Sequence, residues 1–187
     1  MTTSRKRKRS GKERASQIST ITVVIETPRG SRNKLKYDFD QRAYKLSKVL
    51  PEGMMFPYDF GFVPATKAED GDPVDVLVLT DEPLFPGCLV DTILVGVIEL
   101  KQRENGKSNR NDRVIAVAQA SASYSDIKRL DDLNPTVLKQ IEAFFVNYQK
   151  VRDIKVTILG RSGPREAFEL LQRSGYDGSN SAASESK

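Results

Sequence analysis

The sequence predicts a mainly β domain with helices appended late in the chain. About six short segments are rich in β-branched residues or alternate apolar with polar residues, and Pro, Gly and Asn clusters separate them. Many short strands at close intervals are typical of a small closed barrel of the oligonucleotide-binding type, or of a sandwich, with helices packed outside. The predicted strands span 21–27, 34–39, 75–80, 89–100, 113–119 and 153–160.

Two helices are predicted near the C-terminal end. Asn134 is a favourable N-cap, and Pro135 suits the first helical position. Apolar residues then recur at spacings of three and four as far as Tyr148, which predicts one amphipathic helix with Tyr148 in its last turn. A second, shorter helix is predicted from Pro164 through Leu171.

Charge divides the chain into an arm, a domain and a tail. The net charge is +5, but residues 1–20 hold seven basic groups and one acid, so the remaining chain is nearly neutral. We expect a disordered basic arm over 1–19, a single domain over 20–174 and a flexible low-complexity tail over 175–187. The arm is interpreted as a solvated segment that makes weak polyanion contacts, or alternatively as a specific nucleic-acid or targeting segment.

Composition excludes several classes of chemistry. The chain has no histidine, which removes the commonest general base, Ser-His and Cys-His nucleophiles and most zinc ligand sets. Cys88 is the single cysteine, so no internal disulfide can form. No apolar run approaches the roughly 18 residues that span a bilayer, so no membrane partner is expected. These features favour a cytoplasmic protein.

The segment EDGDPVDVLVLT (69–80) places three aspartates, Asp70, Asp72 and Asp75, before a buried strand. Two like charges about 6 Å apart repel by roughly 3 kcal/mol at an effective dielectric near 20. Gly71 and Pro73 break the regular alternation and allow the three carboxylates to converge. A hard cation such as magnesium or manganese would relieve the repulsion; a solvated acidic turn is the alternative.

The seven residues from Asp70 to Val76 resemble the signature of the soluble family I inorganic pyrophosphatases. These are magnesium-dependent enzymes that hydrolyse pyrophosphate to two phosphates. The resemblance runs from about residue 21 to 160 and includes VIETP (24–28), LKYD (35–38) and VGV (95–97). It implies a five-stranded closed barrel of the oligonucleotide-binding type, flanked by two or three α-helices. It also implies pyrophosphate as substrate, Mg²⁺ or Mn²⁺ as cofactor and a homo-oligomer.

The resemblance assigns the metal ligands. Asp70, Asp72 and Asp75 would hold the metal, with Asp72 as the base that takes the proton of water, and Glu26 would be a further ligand. A later acidic position is ambiguous: strict spacing gives Asn111, whereas a one-residue bulge would present Asp112. Because a carboxylate attracts a dication more strongly than an amide does, Asp112 is the predicted ligand.

The resemblance also assigns the residues that bind substrate. Lys36 and Tyr148 would be catalytic and would bind phosphate, Lys48 would replace an arginine, and Arg113 would replace a lysine. Two tyrosines of the family pattern are Phe56 and Phe60 here, so two hydroxyls are absent unless Tyr58 substitutes. Gln149 follows Tyr148 where lysine is usual.

Three functions remain open at this stage. The first is magnesium-dependent hydrolysis of pyrophosphate with an altered substrate rim. The second is a catalytically weakened barrel that binds phosphate, polyanions or nucleic acid. The third is an enzyme for a related diphosphate or polyphosphate.

Overall fold

The computed structural model describes residues 20–150 and 153–178. The predicted mainly β architecture with two appended α-helices is confirmed. The strands are β1 (Thr20–Thr27), β2 (Asn33–Asp38), β3 (Ala43–Val49), β4 (Asp59–Phe62), β5 (Asp75–Leu79), β6 (Leu89–Glu104), β7 (Lys107–Arg110), β8 (Arg113–Ala118) and β9 (Lys155–Ser162). The helices are α1 (Pro135–Lys150) and α2 (Pro164–Arg173), and a 3-10 turn spans Leu130–Asp132.

Five strands form a closed ring. The pairings run β1–β4, β4–β5, β5–β8, β8–β6 and then β6 back to β1. All are antiparallel except β5–β8, which is parallel. β6 is long enough to continue past the ring, where it pairs with β7 and β9. The ring is the five-stranded barrel that the sequence predicts.

The β2–β3 hairpin forms a separate two-stranded sheet beside β1. Thr27 Oγ1 donates to the Leu35 carbonyl and accepts from the Leu35 N–H, at 3.2 and 3.0 Å. The Tyr37 N–H donates to Glu26 Oε1 at 2.7 Å. These bonds hold the hairpin against the end of β1, next to the acidic segment.

Strand alternation divides the core into two layers. In β5, Leu77 and Leu79 belong to an apolar cluster that α1 covers through Ile141 and Phe145. Val76 and Val78 face the other way, into a second cluster that α2 covers, mainly with Ala167 and Leu171. Both faces of β5 are therefore buried, which explains its continuous apolar sequence.

The helix termini follow the capping expectations. Asn134 Oδ1 accepts the Thr136 N–H at 2.8 Å, as an N-cap does. In α2, Pro164 occupies the first turn, and Glu166 Oε2 accepts the Gly163 N–H at 3.2 Å. Both helices begin where the sequence predicts.

Two predicted boundaries lie at the ends of the domain. The ordered domain extends past residue 174, because Tyr176 is buried beside Phe168 and Leu171 in the α2 cluster. The described residues therefore continue to 178, and the flexible tail from 175 stays a prediction. The predicted basic arm over 1–19 and the rest of the tail lie outside the described residues. No helix within the described ranges is long and apolar enough to cross a membrane.

Gly61 lies where β4 approaches β1 most closely. A Cβ added at this position would lie 2.1 Å from the Val24 carbonyl oxygen, which is backbone and cannot rotate away. We expect Gly61→Ala to lower the free energy of unfolding by at least about 2 kcal/mol. Gly160→Ala is the matched control, since nothing lies within 4 Å of the added Cβ. Urea denaturation of both variants checks the prediction, and equal stabilities would contradict it.

Candidate active site

The acidic segment forms a tight bend before β5. The Gly71 N–H donates to the Ala68 carbonyl at 3.0 Å, and the Ala68 N–H donates to the Asp72 carbonyl at 2.7 Å. Gly71 has φ of 89°, a left-handed conformation that favours glycine. Asp70 Oδ1 accepts the Asp72 N–H at 3.2 Å, so Asp70 folds back over the bend. The sequence correctly predicts irregular backbone here.

Asp72, the predicted base, pairs with Lys36. Lys36 Nζ lies 2.6 Å from Asp72 Oδ2, and both side chains are about half exposed. Burial opposes the charge of Lys36, but the hydrogen bond and charge of Asp72 outweigh it and raise the pKa of Lys36 above its usual value. The pair connects the β2–β3 hairpin to the acidic bend.

Asp75 pairs with Arg113 because of the parallel register between β5 and β8. Val76 is opposite Val114 in this register. Asp75 and Arg113, which precede these two residues, therefore also lie side by side. Arg113 Nη1 lies 2.6 Å from Asp75 Oδ2, and the Arg113 side chain is 6% exposed. Arg113 also donates to Asn111 Oδ1 and lies over the Phe145 ring. Asp75 is thus held by a buried cation.

Glu26 is a buried carboxylate at the end of β1. It is 5% exposed, and desolvation is the largest cause that raises its pKa to about 7. The Tyr37 N–H lowers the pKa, whereas the charge of Asp75 raises it. The charges of Lys34 and Lys36 also act on Glu26. Glu26 is therefore the carboxylate on which both Asp75 and the hairpin lysines act.

The carboxylates do not form a compact cluster. Among residues 20–150 and 153–178, no three acidic or cysteine side chains are grouped closely enough to hold a metal ion. Asp72 and Asp75 each face a cation, and Asp70 caps the bend. The donor set still fits a hard divalent ion, since it consists entirely of carboxylate oxygens and Asp70 and Asp72 are exposed.

Asp112 has a different environment from Asp75. Its Oδ1 accepts the Leu100 N–H at 2.9 Å, and its Oδ2 pairs with Arg110 Nη2 at 2.8 Å. Leu100 needs this acceptor because β6 changes partner there, after the Ile98–Arg113 pair with β8 and before the Lys101–Arg110 pair with β7. The Arg113 side chain, which pairs with Asp75, donates to Asn111 Oδ1 and not to the Asp112 carboxylate. Each oxygen of Asp112 therefore has one partner and retains a further lone pair.

A second group of side chains converges on Tyr148. Lys48 Nζ lies 6.0 Å from the centre of the Tyr148 ring, and Lys34 Nζ lies 5.9 Å from the same centre. The Tyr148 hydroxyl is buried and has no hydrogen-bond partner among the described residues. Phe144 stacks on the ring at 5.6 Å and fixes its orientation. Two ammonium groups therefore lie near one tyrosine ring, and ammonium groups are donors that suit a phosphate-like anion.

Lys34 is a site residue that the sequence analysis missed. It lies opposite Lys48 in the β2–β3 register, and its ammonium group is 4.9 Å from the centre of the Phe60 ring. Lys36, the predicted phosphate ligand, contacts Asp72 instead. Because side chains alternate along a strand, Lys34 and Lys36 lie on the same face of β2. The sequence therefore indicates that the two lysines are close together, but not which partner each one contacts.

The two phenylalanines of the predicted rim are core residues. Phe56 and Phe60 are each at most 2% exposed, and their ring centres are 5.5 Å apart. Tyr58 does not supply the missing hydroxyls, because its own hydroxyl is hydrogen-bonded to Tyr124. Burial, and then Tyr124, raises the pKa of Tyr58 to about 12.

A cavity of about 470 Å³ opens beside the aspartates. Asp70, Asp75, Asn111, Asp112 and Arg113 contribute to its wall. Residues at the end of α2, including Arg173, complete it. The volume is in the range of small-ligand sites.

The fold is an oligonucleotide-binding-type barrel that carries a set of carboxylates and, near Tyr148, two lysine ammonium groups. The family model described as inorganic pyrophosphatase matches residues 23–177. The chain therefore belongs to the inorganic pyrophosphatase family.

The similarity to individual relatives extends over most of their length. The chain is 36% identical to the inorganic pyrophosphatase of Methanosarcina acetivorans over 151 residues, which cover 81% of this chain and 88% of the relative. It is 39% identical to that of Thermus thermophilus over 152 residues, covering 81% and 85%.

Solved structures agree as well. The crystal structure of the Thermus thermophilus inorganic pyrophosphatase has a TM-score of 0.77 at 35% identity, covering 83% of this chain and 88% of that one. The Helicobacter pylori inorganic pyrophosphatase has a TM-score of 0.77 at 30% identity, covering 86% and 96%.

Proposed function

We propose that the protein hydrolyses inorganic pyrophosphate to two phosphates with the help of magnesium or another divalent ion such as manganese. The observation that carries the proposal is the arrangement around Glu26. Its charge interactions extend to Asp75 of the acidic group and to Lys34 of the group around Tyr148. A carboxylate set for cations and an ammonium set for anions therefore lie side by side, as metal-assisted attack of water on a polyphosphate requires.

We assign metal binding to Asp70, Asp72, Asp75 and Glu26, with Asp112 as a further ligand. When bound, a divalent ion neutralises phosphate oxygens and lowers the pKa of water. Asp72 is exposed and is the carboxylate that accepts the proton of the attacking water. Its Lys36 partner, 2.6 Å away, directs it towards the hairpin.

Phosphate binding is assigned to Lys34, Lys48 and Tyr148. The two ammonium groups and the unpartnered hydroxyl supply donors to an anion, and hydrogen bonds of this kind are the stronger ones because a charge is involved. We assign Arg113 to positioning Asp75 through its ion pair, in addition to the substrate contact that the family resemblance implies.

A phosphate-release assay on the purified full chain tests the proposal. We expect two phosphates per pyrophosphate consumed and much slower release from tripolyphosphate and nucleoside triphosphates. Faster release from one of the longer substrates would instead favour an enzyme for a related polyphosphate. No release from any of them would favour a barrel that only binds polyanions.

The partners and location of the protein are also proposals. Phe85 and Leu89 are each about two-thirds exposed and flank a single turn, which supports a homo-oligomer. Light scattering of the purified protein measures the subunit number, and a monomer would contradict this. The single Cys88 thiol favours a reducing, cytoplasmic environment.

We expect removal of residues 1–18 to leave pyrophosphate turnover unchanged and to weaken binding to RNA or DNA. The reason is that the basic excess of the chain lies in this arm, and phosphate contacts depend on Lys and Arg. Turnover and fluorescence anisotropy of a labelled oligonucleotide are measured on both lengths. A loss of turnover on truncation would contradict the assignment of the active site to the barrel alone.

A further inference from the structure

The sheet that extends beyond the barrel has a basic outer face. β6 continues past the ring and pairs with β7 on one edge and with β9 on the other. Leu100 and Ile158, which are opposite one another, belong to the apolar cluster beneath α1 and mark the inner face. Because side chains alternate along a strand, Lys101 and Arg103 of β6 and Lys155 of β9 point to the opposite side, and all three are exposed. The outer face consists of Lys101, Arg103, Ser108, Arg110, Lys155 and Thr157.

The register sets like charges opposite one another on the outer face. Lys101 is opposite Arg110 of β7, and Arg103 is opposite Lys155 of β9. Side chains in such positions have Cβ atoms about 5 Å apart, and like charges there destabilise a sheet. An anion bound over the face would remove this cost.

Arg110 is the only one of these four cations that pairs with carboxylates in the described part of the chain. Its Nη2 lies 3.2 Å from Glu99 Oε2 and 2.8 Å from Asp112 Oδ2. The other three make no ion pair with any residue of 20–150 and 153–178. Their charge is therefore available to a partner.

The shape and chemistry of the outer face suit a chain of phosphates. Its cations spread over three strands, which span about 10 Å, and over about 7 Å along β6. Thr157 is opposite Lys101, and Ser108 is opposite Arg103, so hydroxyl groups that can donate to phosphate oxygens lie between the charges. The six side chains include no aromatic ring, whereas aromatic rings are typical of protein interfaces and of sites that stack single-stranded bases.

We propose that the outer face binds the sugar-phosphate backbone of double-stranded nucleic acid without reading the base sequence. A duplex carries one negative charge per about 1.7 Å of its axis, so several phosphates can face these cations at once. The inference is independent of the proposed hydrolysis, because Lys101, Arg103 and Lys155 are not assigned to the active site. It is also independent of the basic arm, because it concerns the folded domain.

The test is binding of the full chain to a short fluorescein-labelled DNA duplex, measured by anisotropy at several concentrations of potassium chloride. Lys101, Arg103 and Lys155 are replaced together by Gln, and Arg110 is kept because it holds Asp112. Each lost phosphate contact reduces the slope of log affinity against log salt concentration by about 0.9. We expect this variant to bind more weakly, with a slope shallower by about two to three. The arm is present in every variant, so its contribution cancels in the comparison.

The matched control replaces Lys128, Arg129 and Lys139 by Gln. These residues are also two lysines and one arginine, they are exposed, and they lie in and before α1 rather than on the outer face. We expect the control to keep the slope of the unsubstituted chain. Equal changes in both variants would reduce the effect to net charge, and no change in either would leave binding to the arm alone. Either result overturns the proposal.

Further measurements test the choice of partner. A second duplex of unrelated sequence should bind with the same affinity, and binding of only one of them would contradict backbone recognition. Inorganic polyphosphate and vesicles of anionic lipid are tested as competitors; tighter binding of either one would overturn a duplex as the partner. Urea denaturation checks folding. If the triple variant is less stable, the double variant Arg103→Gln with Lys155→Gln is used, with a slope shallower by about two.

Discussion

Asp72→Asn is expected to lower kcat for pyrophosphate hydrolysis by about 100-fold to 10,000-fold, the usual range for loss of a general base. The amide cannot accept the proton of water, and it also removes the carboxylate that Lys36 contacts at 2.6 Å. Steady-state phosphate release at saturating magnesium measures the effect. Because Asp72 is exposed, the variant should unfold at nearly the same urea concentration as the unsubstituted chain.

Asp38→Asn is the control for Asp72. Asp38 also pairs with a lysine of the hairpin, Lys45, at 3.0 Å, and its other hydrogen bonds come from the Asp40 and Gln41 N–H groups at the hairpin turn. Turnover should remain within about twofold of the unsubstituted chain, as for other surface substitutions. Equal activity of Asp72→Asn and Asp38→Asn would contradict the role of Asp72 as base.

Lys34→Met is expected to raise KM for pyrophosphate by about 10-fold to 150-fold. A hydrogen bond to a charged group contributes about 1.5–3 kcal/mol, and each 1.4 kcal/mol is a factor of ten in binding. The expectation follows from the position of Lys34 opposite Lys48 and 5.9 Å from the centre of the Tyr148 ring, whose hydroxyl has no hydrogen-bond partner among the described residues. Initial rates over a range of pyrophosphate concentrations give KM and kcat separately.

The same measurement on Lys36→Met discriminates between the two lysines. The structure associates Lys36 with Asp72 and Lys34 with Tyr148, so the larger rise in KM should occur at Lys34. Lys45→Met should leave KM unchanged. A large rise at Lys36 with none at Lys34 would return the phosphate contact to the lysine that the sequence predicted.

Elements with a strong local pattern could be predicted from the sequence. Asn134 and Pro135 mark the start of α1, and apolar spacing carries it through Tyr148. β5 is predictable because its apolar run is buried on both faces. β4 is not predicted because Asp59–Phe62 is only four residues long and contains an acid and a glycine. The roles of these two residues follow only from their contacts with β1 and the loops. Asp59, for example, accepts the Arg29 N–H at 2.8 Å and the Thr80 hydroxyl at 2.6 Å.

β3 is missed for the opposite reason. Most of its residues are exposed, including Leu46, so its sequence lacks the apolar alternation of a half-buried strand. Without β3, the position of Lys48 opposite Lys34 cannot be inferred. The missed strand and the missed site residue therefore have one cause.

Candidate site side chains can be predicted from the sequence where the motif is local. Asp70, Asp72 and Asp75 lie in one bend that Gly71 makes possible, and the family resemblance adds Glu26 and Tyr148. Their partners depend on distant pairings. The β5–β8 register selects Arg113 for Asp75, and the change of partner along β6 draws Asp112 to the Leu100 N–H. No local pattern contains this information.

The central claim is that the carboxylates and lysines around Glu26 together hydrolyse pyrophosphate with a divalent ion. The most direct measurement is phosphate release from pyrophosphate by the purified full chain, first with a chelator and then after adding millimolar magnesium. We expect no release in the presence of the chelator. Once magnesium is in excess, we expect sustained release of two phosphates per pyrophosphate. No release above background with magnesium, or equal release in the presence of the chelator, would contradict it.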